Sequence, residues 1–381
     1  MFKKLIFISL ILIVSYFIIS EKQNTKNNII IGSSLAYNGS LKSWGETVYN
    51  TVNAYFKYTN ENNLIQNKHI EFLALDDKYE PNLTFDNIKS ILNNDILSFF
   101  GIVGTPTIRR VMPIFEDNQT PFFSPFSGAS FLRDKDFDNI INFRASYKQE
   151  IENIIDYITN TKKLSKISIF YQNDEYGEDG YISTLQALES KNLKLISAGT
   201  YKRNTLSINH AFNEIKNSKP EVILLVGAYK ANALFIKKAK KDEFLKDVIF
   251  CNISFSDANS IIKELKNSNV DSSNIIFSNV VPNYDDKNLK IVQEYQEVMQ
   301  KYAVNKELGF ISFEAFLASK VLIDAIIRLE GNYSSRELIY ALKNPPKDIL
   351  SEIKLEFENH QLLNTTYLFE YKDDKFQEIL R

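Results

Sequence analysis

The chain has 381 residues, an apolar fraction of 44% and a formal net charge of −2. This length favours two domains over one, and the apolar fraction supplies enough side chains for two cores. The near-neutral charge argues against a nucleic-acid partner, which would require a basic face. The single cysteine, Cys251, excludes an intramolecular disulfide.

The N-terminus has the layout of a secretory signal peptide. Lys3 and Lys4 precede an apolar run over residues 5–19, and a polar stretch follows it. The cleavage site is poor, with Ile18 and Ser20 at the positions where small residues are preferred. Residues 1–20 are therefore interpreted as either a signal peptide or an uncleaved N-terminal anchor. No cysteine follows the run, which excludes a lipoprotein. We expect the protein in the periplasm or on the outer face of the cytoplasmic membrane.

From residue 28 onward, short apolar runs alternate with amphipathic helical patterns in two series. The first series predicts strands over residues 29–32, 70–75, 97–103 and 121–123, and helices over 46–58, 81–92 and 106–115. The second predicts strands over residues 166–171, 195–199, 222–226, 248–251 and 275–279, and helices over 149–159, 180–190, 208–216, 231–240 and 257–265. Long helices over 289–302 and 312–328 follow, and the C-terminal segments TTYLFEY and FQEIL predict a β-hairpin. This rhythm predicts an α/β fold with two doubly wound parallel-sheet lobes.

Five segments, in this order and spacing, resemble the leucine/isoleucine/valine-binding-protein family of periplasmic solute receptors. They are LALDDKYEP (73–81), GIVGTPT (101–107), TPFFSPFSGASFLR (120–133), NFRASY (142–147) and IFYQNDEYGEDG (169–180). The resemblance covers the chain from about residue 29 to the C-terminus. It implies a type I clamshell fold whose lobes are joined by three crossovers, near residues 142–145, near residues 280–283 and near the C-terminal hairpin.

The same resemblance implies a domain division and a set of partners. The first lobe would comprise residues 28–143 and 283–362, and the second residues 144–282 and 363–381. The expected function is that of a solute-binding protein of an ABC importer, which binds an amino acid or another small carboxylate in the interlobe cleft and delivers it to a permease in the inner membrane. A monomer without cofactors is expected.

The candidate ligand contacts of the first lobe follow strands. Thr105 and Pro106 follow a predicted strand and open a helix, so we expect Thr105 to cap that helix and its N–H groups to attract an anion. A plain helix cap without a ligand explains the local pattern equally well. The resemblance implies that Thr105 binds a carboxylate together with the turn Phe126, Ser127 and Gly128. Gly128 stands where the family often has threonine, so Ser127 is the expected substitute.

Further candidates come from aromatic and polar residues at predicted strand ends. The resemblance places Trp44 at the cleft mouth, and Tyr176 and Tyr229 on the second lobe, where they would close over the ligand. The alternative is that these aromatic side chains belong to the core or the surface. At Ser254 amino-acid-binding members commonly have a carboxylate, and its loss weakens the case for a simple α-amino acid, because a buried unpaired ammonium is costly. Asp257 lies three residues on.

No catalytic or metal-binding pattern is found in the sequence. The three histidines, His69, His210 and His360, lie in unrelated contexts without metal-ligand spacing. Paired aspartates are explained by solvated turns. The alternative to transport is a ligand-sensing partner or ectodomain of a signalling system with the same fold, and neighbouring permease or kinase genes would distinguish the two.

Overall fold

The computed structural model describes residues 28–380, so the predicted signal peptide or anchor lies outside the described residues. The strands are β1 (Asn28–Leu35), β2 (His69–Asp76), β3 (Ile96–Phe100), β4 (Phe122–Phe123), β5 (Ile140–Ile141), β6 (Ile167–Gln172), β7 (Ser197–Tyr201), β8 (Val222–Val226), β9 (Ile249–Asn252), β10 (Ile275–Asn279), β11 (Tyr367–Lys372) and β12 (Lys375–Glu378). The helices are α1 (Lys42–Glu61), α2 (Pro81–Ile91), α3 (Thr105–Asn118), α4 (Tyr147–Asp156), α5 (Glu175–Glu189), α6 (Asn209–Asn217), α7 (Tyr229–Ala239), α8 (Ala258–Lys266), α9 (Lys290–Tyr302), α10 (Phe310–Ile327) and α11 (Ser335–Lys343).

The first sheet has the order β2-β1-β3-β4-β5, and all its neighbouring strands are parallel. Helices α1, α9 and α10 pack together, and α2 packs on α3. Phe99 and Phe100 of β3 belong to two separate hydrophobic clusters, because adjacent side chains in a strand point to opposite faces. Both faces are therefore buried, which explains why the strands read as continuous apolar runs.

The second sheet has the order β12-β11-β10-β9-β8-β6-β7. Its parallel part repeats the order of the first sheet: the second strand, the first, the third, the fourth and the fifth. All five residues of β8 are buried, as expected for a central parallel strand. The predicted C-terminal hairpin is confirmed, since β11 and β12 pair antiparallel. It adds to the sheet through an antiparallel pairing of β11 with β10. The predicted α/β fold with two doubly wound sheets is confirmed.

The chain passes between the two sheets at residues 142–146, 280–289 and 361–366. The first and third passages run side by side, since the Leu362 and Leu363 N–H groups donate to the Asn142 and Phe143 carbonyl oxygens at 3.0 and 2.8 Å. Because these two ordered segments are hydrogen-bonded to each other, they restrict how the sheets move relative to each other. This arrangement suits a hinge rather than a flexible linker.

The structure differs from the sequence-based assignment mainly at helix starts and in one missed helix. Helix α5 begins at residue 175 rather than 180, because the Asp174 carboxylate accepts hydrogen bonds from the Tyr176 and Gly177 N–H groups. Apolar periodicity detects buried turns, whereas a cap decides where a helix begins. Helix α11 was not predicted. It is nine residues long and is capped by Ser334, which accepts from the Glu337 N–H.

Among residues 28–380, no helix combines the length and apolar character needed to cross a membrane.

Candidate functional site

The candidate site lies where the strand order reverses in both sheets. In open parallel sheets, the loops after the strands on either side of this reversal diverge and leave a crevice at the carboxyl edge. Thr105 follows β3, Tyr176 follows β6 and Tyr229 follows β8. The same topology in both sheets therefore directs these three residues toward the space between the sheets.

Three hydroxyl groups meet at the N-terminus of α3. The Thr105 and Ser127 hydroxyls are 2.8 Å apart and hydrogen-bonded, and both residues are fully buried. The Tyr147 hydroxyl faces both of them but makes no hydrogen bond of normal geometry. Burial raises the pKa of Tyr147 to about 12, so this hydroxyl keeps its proton at neutral pH and remains a donor. A buried donor without a partner is costly, and a ligand oxygen would satisfy it.

The prediction that Thr105 caps α3 is wrong, although Pro106 does lie in the first turn. The cap residue is Gly104, which has a φ of +104°. A side chain there would meet the Tyr79 ring at 2.4 Å, so glycine suits both the conformation and the space. The helix thus begins one residue earlier than predicted. As a consequence, the Thr105 hydroxyl is free to bond Ser127 instead of its own helix.

Gly128 and Tyr147 are coupled by close packing. A side chain at residue 128 would lie 2.6 Å from the Tyr147 backbone nitrogen and 2.5 Å from its ring. The threonine that the family often has here would therefore not fit. The Tyr147 N–H donates to the Gly128 carbonyl at 2.8 Å, which holds the ring over the glycine. Sequence reasoning missed Tyr147, whose ring occupies the space beside Gly128.

A cluster of five aromatic side chains, which we call the aromatic cluster, lies next to the three hydroxyls. It is formed by Trp44, Phe126, Tyr147, Tyr176 and Phe255. Trp44 was expected at the cleft mouth but is only 1% exposed, because its ring packs against Phe126 and Phe255. Its indole N–H donates to the Phe255 carbonyl at 3.1 Å. Trp44 and Phe126 come from the first sheet's side and Tyr176 and Phe255 from the second. The cluster therefore joins the two halves of the molecule.

Ser254 belongs to a buried charged network and not to the set of hydroxyls formed by Thr105, Ser127 and Tyr147. The Glu150 carboxylate accepts from the Ser254 N–H and from its hydroxyl, both at 2.7 Å. The Arg144 guanidinium donates to the Ser254 oxygen and pairs with Glu314 at 3.2 Å. A carboxylate therefore does lie beside Ser254, and it is supplied by α4.

The network holds two carboxylates against one guanidinium, and all three side chains are buried. Burial raises the pKa of Glu314 to about 7, since it outweighs the attraction of Arg144 and the Glu150 charge adds to it. Burial also raises the pKa of Glu150 despite the neighbouring Arg144. For Arg144 burial alone would lower the pKa, but the attraction of Glu314 and other neighbours raises it. The guanidinium therefore stays charged, and Glu314 is the carboxyl group that takes up a proton near neutral pH.

Tyr229 lies apart from the aromatic cluster. It is half-buried and lines a cavity of about 330 Å³ together with Ser43 and Asp257. The Asp257 carboxylate caps α8 by accepting from the Ser260 N–H at 3.1 Å, and it also accepts from the Ser43 hydroxyl at 2.9 Å. Asp257 is therefore a helix cap that also links the two halves. Tyr229 lies beside this link, at the edge of the interface.

Of the eight residues predicted for the site, seven belong to the three hydroxyls, the aromatic cluster and the charged network or lie beside them. Tyr229 lies at the edge of the interface between the two halves. Tyr147, Glu150 and Phe255 were not predicted. A signal existed for Glu150: it lies three residues after Tyr147 and four before Ile154, so helical spacing puts it on the buried face of α4. Among residues 28–380, no group of three or more His, Cys, Asp or Glu is arranged to hold a metal ion.

Comparison with known proteins gives two kinds of match. A family described as "Periplasmic binding protein" matches residues 28–375. Among solved structures, a possible leucine/isoleucine/valine-binding protein from Rhodopirellula baltica SH 1 is 28% identical, with a TM-score of 0.84 over 93% of this chain and 96% of that one. No curated protein sequence matches the chain.

More distant structures show the fold alone. A branched-chain amino acid ABC transporter protein from Thermus thermophilus, with bound valine, is 16% identical with a TM-score of 0.81, covering 93% of this chain and 95% of that one. A fatty acid ABC transporter substrate-binding protein from Thermomonospora curvata is also 16% identical with a TM-score of 0.82, covering 93% and 91%. Proteins with this fold are thus described with chemically different ligands.

Proposed function

Because the chain belongs to the periplasmic binding protein family, we propose that it is an exported solute-binding protein of an ABC importer. Its ligand is a small polar molecule bearing a carboxylate, such as an amino acid or a related compound. The bodies that close on this ligand are residues 28–143 with 283–362 and residues 144–282 with 363–381.

The observation that carries this proposal is the set of three side-chain hydroxyls at the N-terminus of α3. Thr105, Ser127 and Tyr147 present three buried hydroxyls, and the Tyr147 donor has no hydrogen-bond partner. The first-turn N–H groups of α3 add the positive end of a helix dipole. A carboxylate is the common ligand group that accepts several such donors at once.

The affinity for the ligand, measured in variants of these three hydroxyl residues, tests the proposal directly. A thermal-shift screen of amino acids, small carboxylates, amides and ureas identifies the ligand, because a compound that binds the folded state raises its melting temperature. With that ligand, Thr105→Val is expected to weaken binding by about 1–3 kcal/mol, the usual cost of leaving a buried polar group unsatisfied. Isothermal titration calorimetry measures the change.

A matched control is Thr184→Val. Thr184 is also fully buried in a helix, but its hydroxyl donates to the Gly180 carbonyl of the same helix, α5, at 2.7 Å. This variant is expected to bind like the wild type. An unchanged affinity for Thr105→Val would remove Thr105 from the site, and a screen without any carboxylate among its hits would contradict the proposed ligand class.

Closure gives a second test, because the two halves already make specific contacts. The Tyr79 hydroxyl of the first half accepts from Gln172 at 3.1 Å, and the Asp179 carboxylate of the second accepts from the Ser130 N–H at 2.7 Å. A ligand bound mainly to the first lobe would stabilise the closed state through contacts that exist only there. These contacts would come from Tyr176 and Tyr229 in the second lobe.

The double variant Tyr176→Ala with Tyr229→Ala is expected to keep weak ligand binding but to lose ligand-dependent compaction. Small-angle X-ray scattering with and without ligand measures this change in shape. Tyr181→Ala with Tyr371→Ala is the control, because these two tyrosines lie outside the candidate site. Full compaction of the double site variant, or no ligand-dependent compaction of the wild type, would contradict this mechanism.

A further inference from the structure

Phe255 occupies the centre of the aromatic cluster. Its ring stacks on Trp44 with a centroid distance of 5.0 Å and packs edge-on against Tyr176 at 4.9 Å and Tyr147 at 6.2 Å. Trp44 and Tyr176 belong to opposite halves of the molecule, so the Phe255 ring fills the space between them. Tyr147 also faces the Thr105 and Ser127 hydroxyls, which places this ring next to the proposed carboxylate site.

The backbone that carries Phe255 is fixed from both sides. On one side the Ser254 N–H and hydroxyl bind the Glu150 carboxylate at 2.7 Å each. On the other side the Phe255 carbonyl accepts from the Trp44 indole at 3.1 Å. Residues 254–257 form a short 3-10 turn, in which the Asp257 N–H donates to the Ser254 carbonyl at 3.1 Å. A segment held by this many hydrogen bonds does not move aside without breaking several of them.

The ring itself also has little freedom. Phe255 is fully buried, and Trp44, Tyr147 and Tyr176 around it are at most 1% exposed. Rotating a phenyl ring out of a close-packed cluster would require space that its neighbours do not leave. The ring therefore acts as a wall of the site rather than as a movable gate.

From this geometry we infer that Phe255 is a specificity-determining residue that limits the ligand to a carboxylate with a short side chain, such as that of glycine or alanine. The inference rests on the proposed function, since it sets the size of the ligand held at the same hydroxyl group. A branched or aromatic ligand side chain would need the volume that the phenyl ring occupies. Overlap of that kind is not relieved by small shifts in a packed interior.

The experiment compares two ligand series by thermal shift on the wild type and on Phe255→Ala. One series is glycine, alanine, leucine and phenylalanine; the other is acetate, butyrate and hexanoate. We expect the melting temperature of the wild type to rise by several degrees only with the short members. For Phe255→Ala we expect a comparable rise with the long members, because truncation opens the volume of the ring.

Phe250→Ala is the matched control. Phe250 is a fully buried phenylalanine of β9 in the same half of the molecule, and it is not part of the aromatic cluster. Its truncation lowers stability through a similar cavity but is expected to leave the size limit unchanged. If Phe255→Ala does not fold, Phe255→Val opens part of the same space at a smaller cost in stability.

The outcomes separate this inference from the proposed function. A wild type stabilised equally by alanine and leucine, or by acetate and hexanoate, would overturn the size limit while leaving a carboxylate-binding receptor intact. A Phe255 variant that gains no response to long members would also overturn it. No response of either protein to any member of both series would overturn the inference and the proposed ligand class together.

Discussion

Replacing Arg144 by methionine is expected to lower the free energy of unfolding by about 3–5 kcal/mol at pH 8, because the change leaves two buried carboxylates without their cation. The guanidinium pairs with Glu314 at 3.2 Å and donates to Ser254, whose hydroxyl and N–H hold Glu150. Methionine keeps much of the side-chain volume, so the expected loss reflects charge rather than a cavity. Urea unfolding followed by circular dichroism measures it.

The loss of unfolding free energy caused by Arg144→Met should be smaller when the same measurement is made at pH 5. Removing the cation raises the pKa of both carboxyl groups further, so a larger share of each is protonated and neutral at pH 5 than at pH 8. Arg203→Met provides the comparison: Arg203 pairs with Glu80 and Asp174 at 3.4 Å each, and its side chain is 23% exposed. We expect a loss below about 1 kcal/mol there. Equal losses for the two variants, or a loss at Arg144 independent of pH, would contradict the charged network.

The second large effect is expected for Glu314→Gln, which should reduce the dependence of stability on pH. In the folded protein the pKa of Glu314 is raised to about 7 from an ordinary value of 4.5. Between these two values the folded state keeps a proton that the unfolded chain has lost, so stability falls as the pH rises. The contribution of the protonated group is present below pH 4.5 and lost above about pH 7.

A shift of this size corresponds to about 3 kcal/mol. Glutamine cannot titrate, so the variant should gain about 3 kcal/mol relative to the wild type between pH 4.5 and pH 8. Urea unfolding across this range gives the difference at each pH. Glu294→Gln, which alters a partly exposed pair with Lys320, is the control and should track the wild type. A constant offset between Glu314→Gln and the wild type across the range would show that Glu314 does not titrate in this window.

Much of the architecture was predictable because it depends on local patterns. The strand β8, for example, was assigned with its observed bounds, since five consecutive apolar residues next to polar turns indicate a buried parallel strand. The repeated alternation of strands and helices predicted two sheets of the same kind. Helix α11 was missed because it is short, and β5 was missed because two residues are too few to show a pattern.

The candidate site was predictable only in part. Thr105, Ser127 and Tyr176 were found because they follow predicted strands, and carboxyl ends of parallel strands meet at one edge of a sheet. Tyr147 and Phe255 were missed because their positions depend on the contact between the two halves of the molecule. Nothing in the local sequence shows that the Tyr147 ring covers Gly128, or that Phe255 lies between Trp44 and Tyr176.

The sequence by itself determined the fold class, the strand ends at which polar residues gather and the family resemblance, because each of these follows from periodicity, turn residues and short motifs along the chain. Only the tertiary structure decided which partners the side chains of those residues contact. It turned the Thr105 hydroxyl toward Ser127 instead of its own helix, brought Glu150 to Ser254 across more than one hundred residues and enclosed Trp44 beneath Phe255. Contacts between distant segments depend on how the two sheets pack together, and this packing is a property of the whole folded chain.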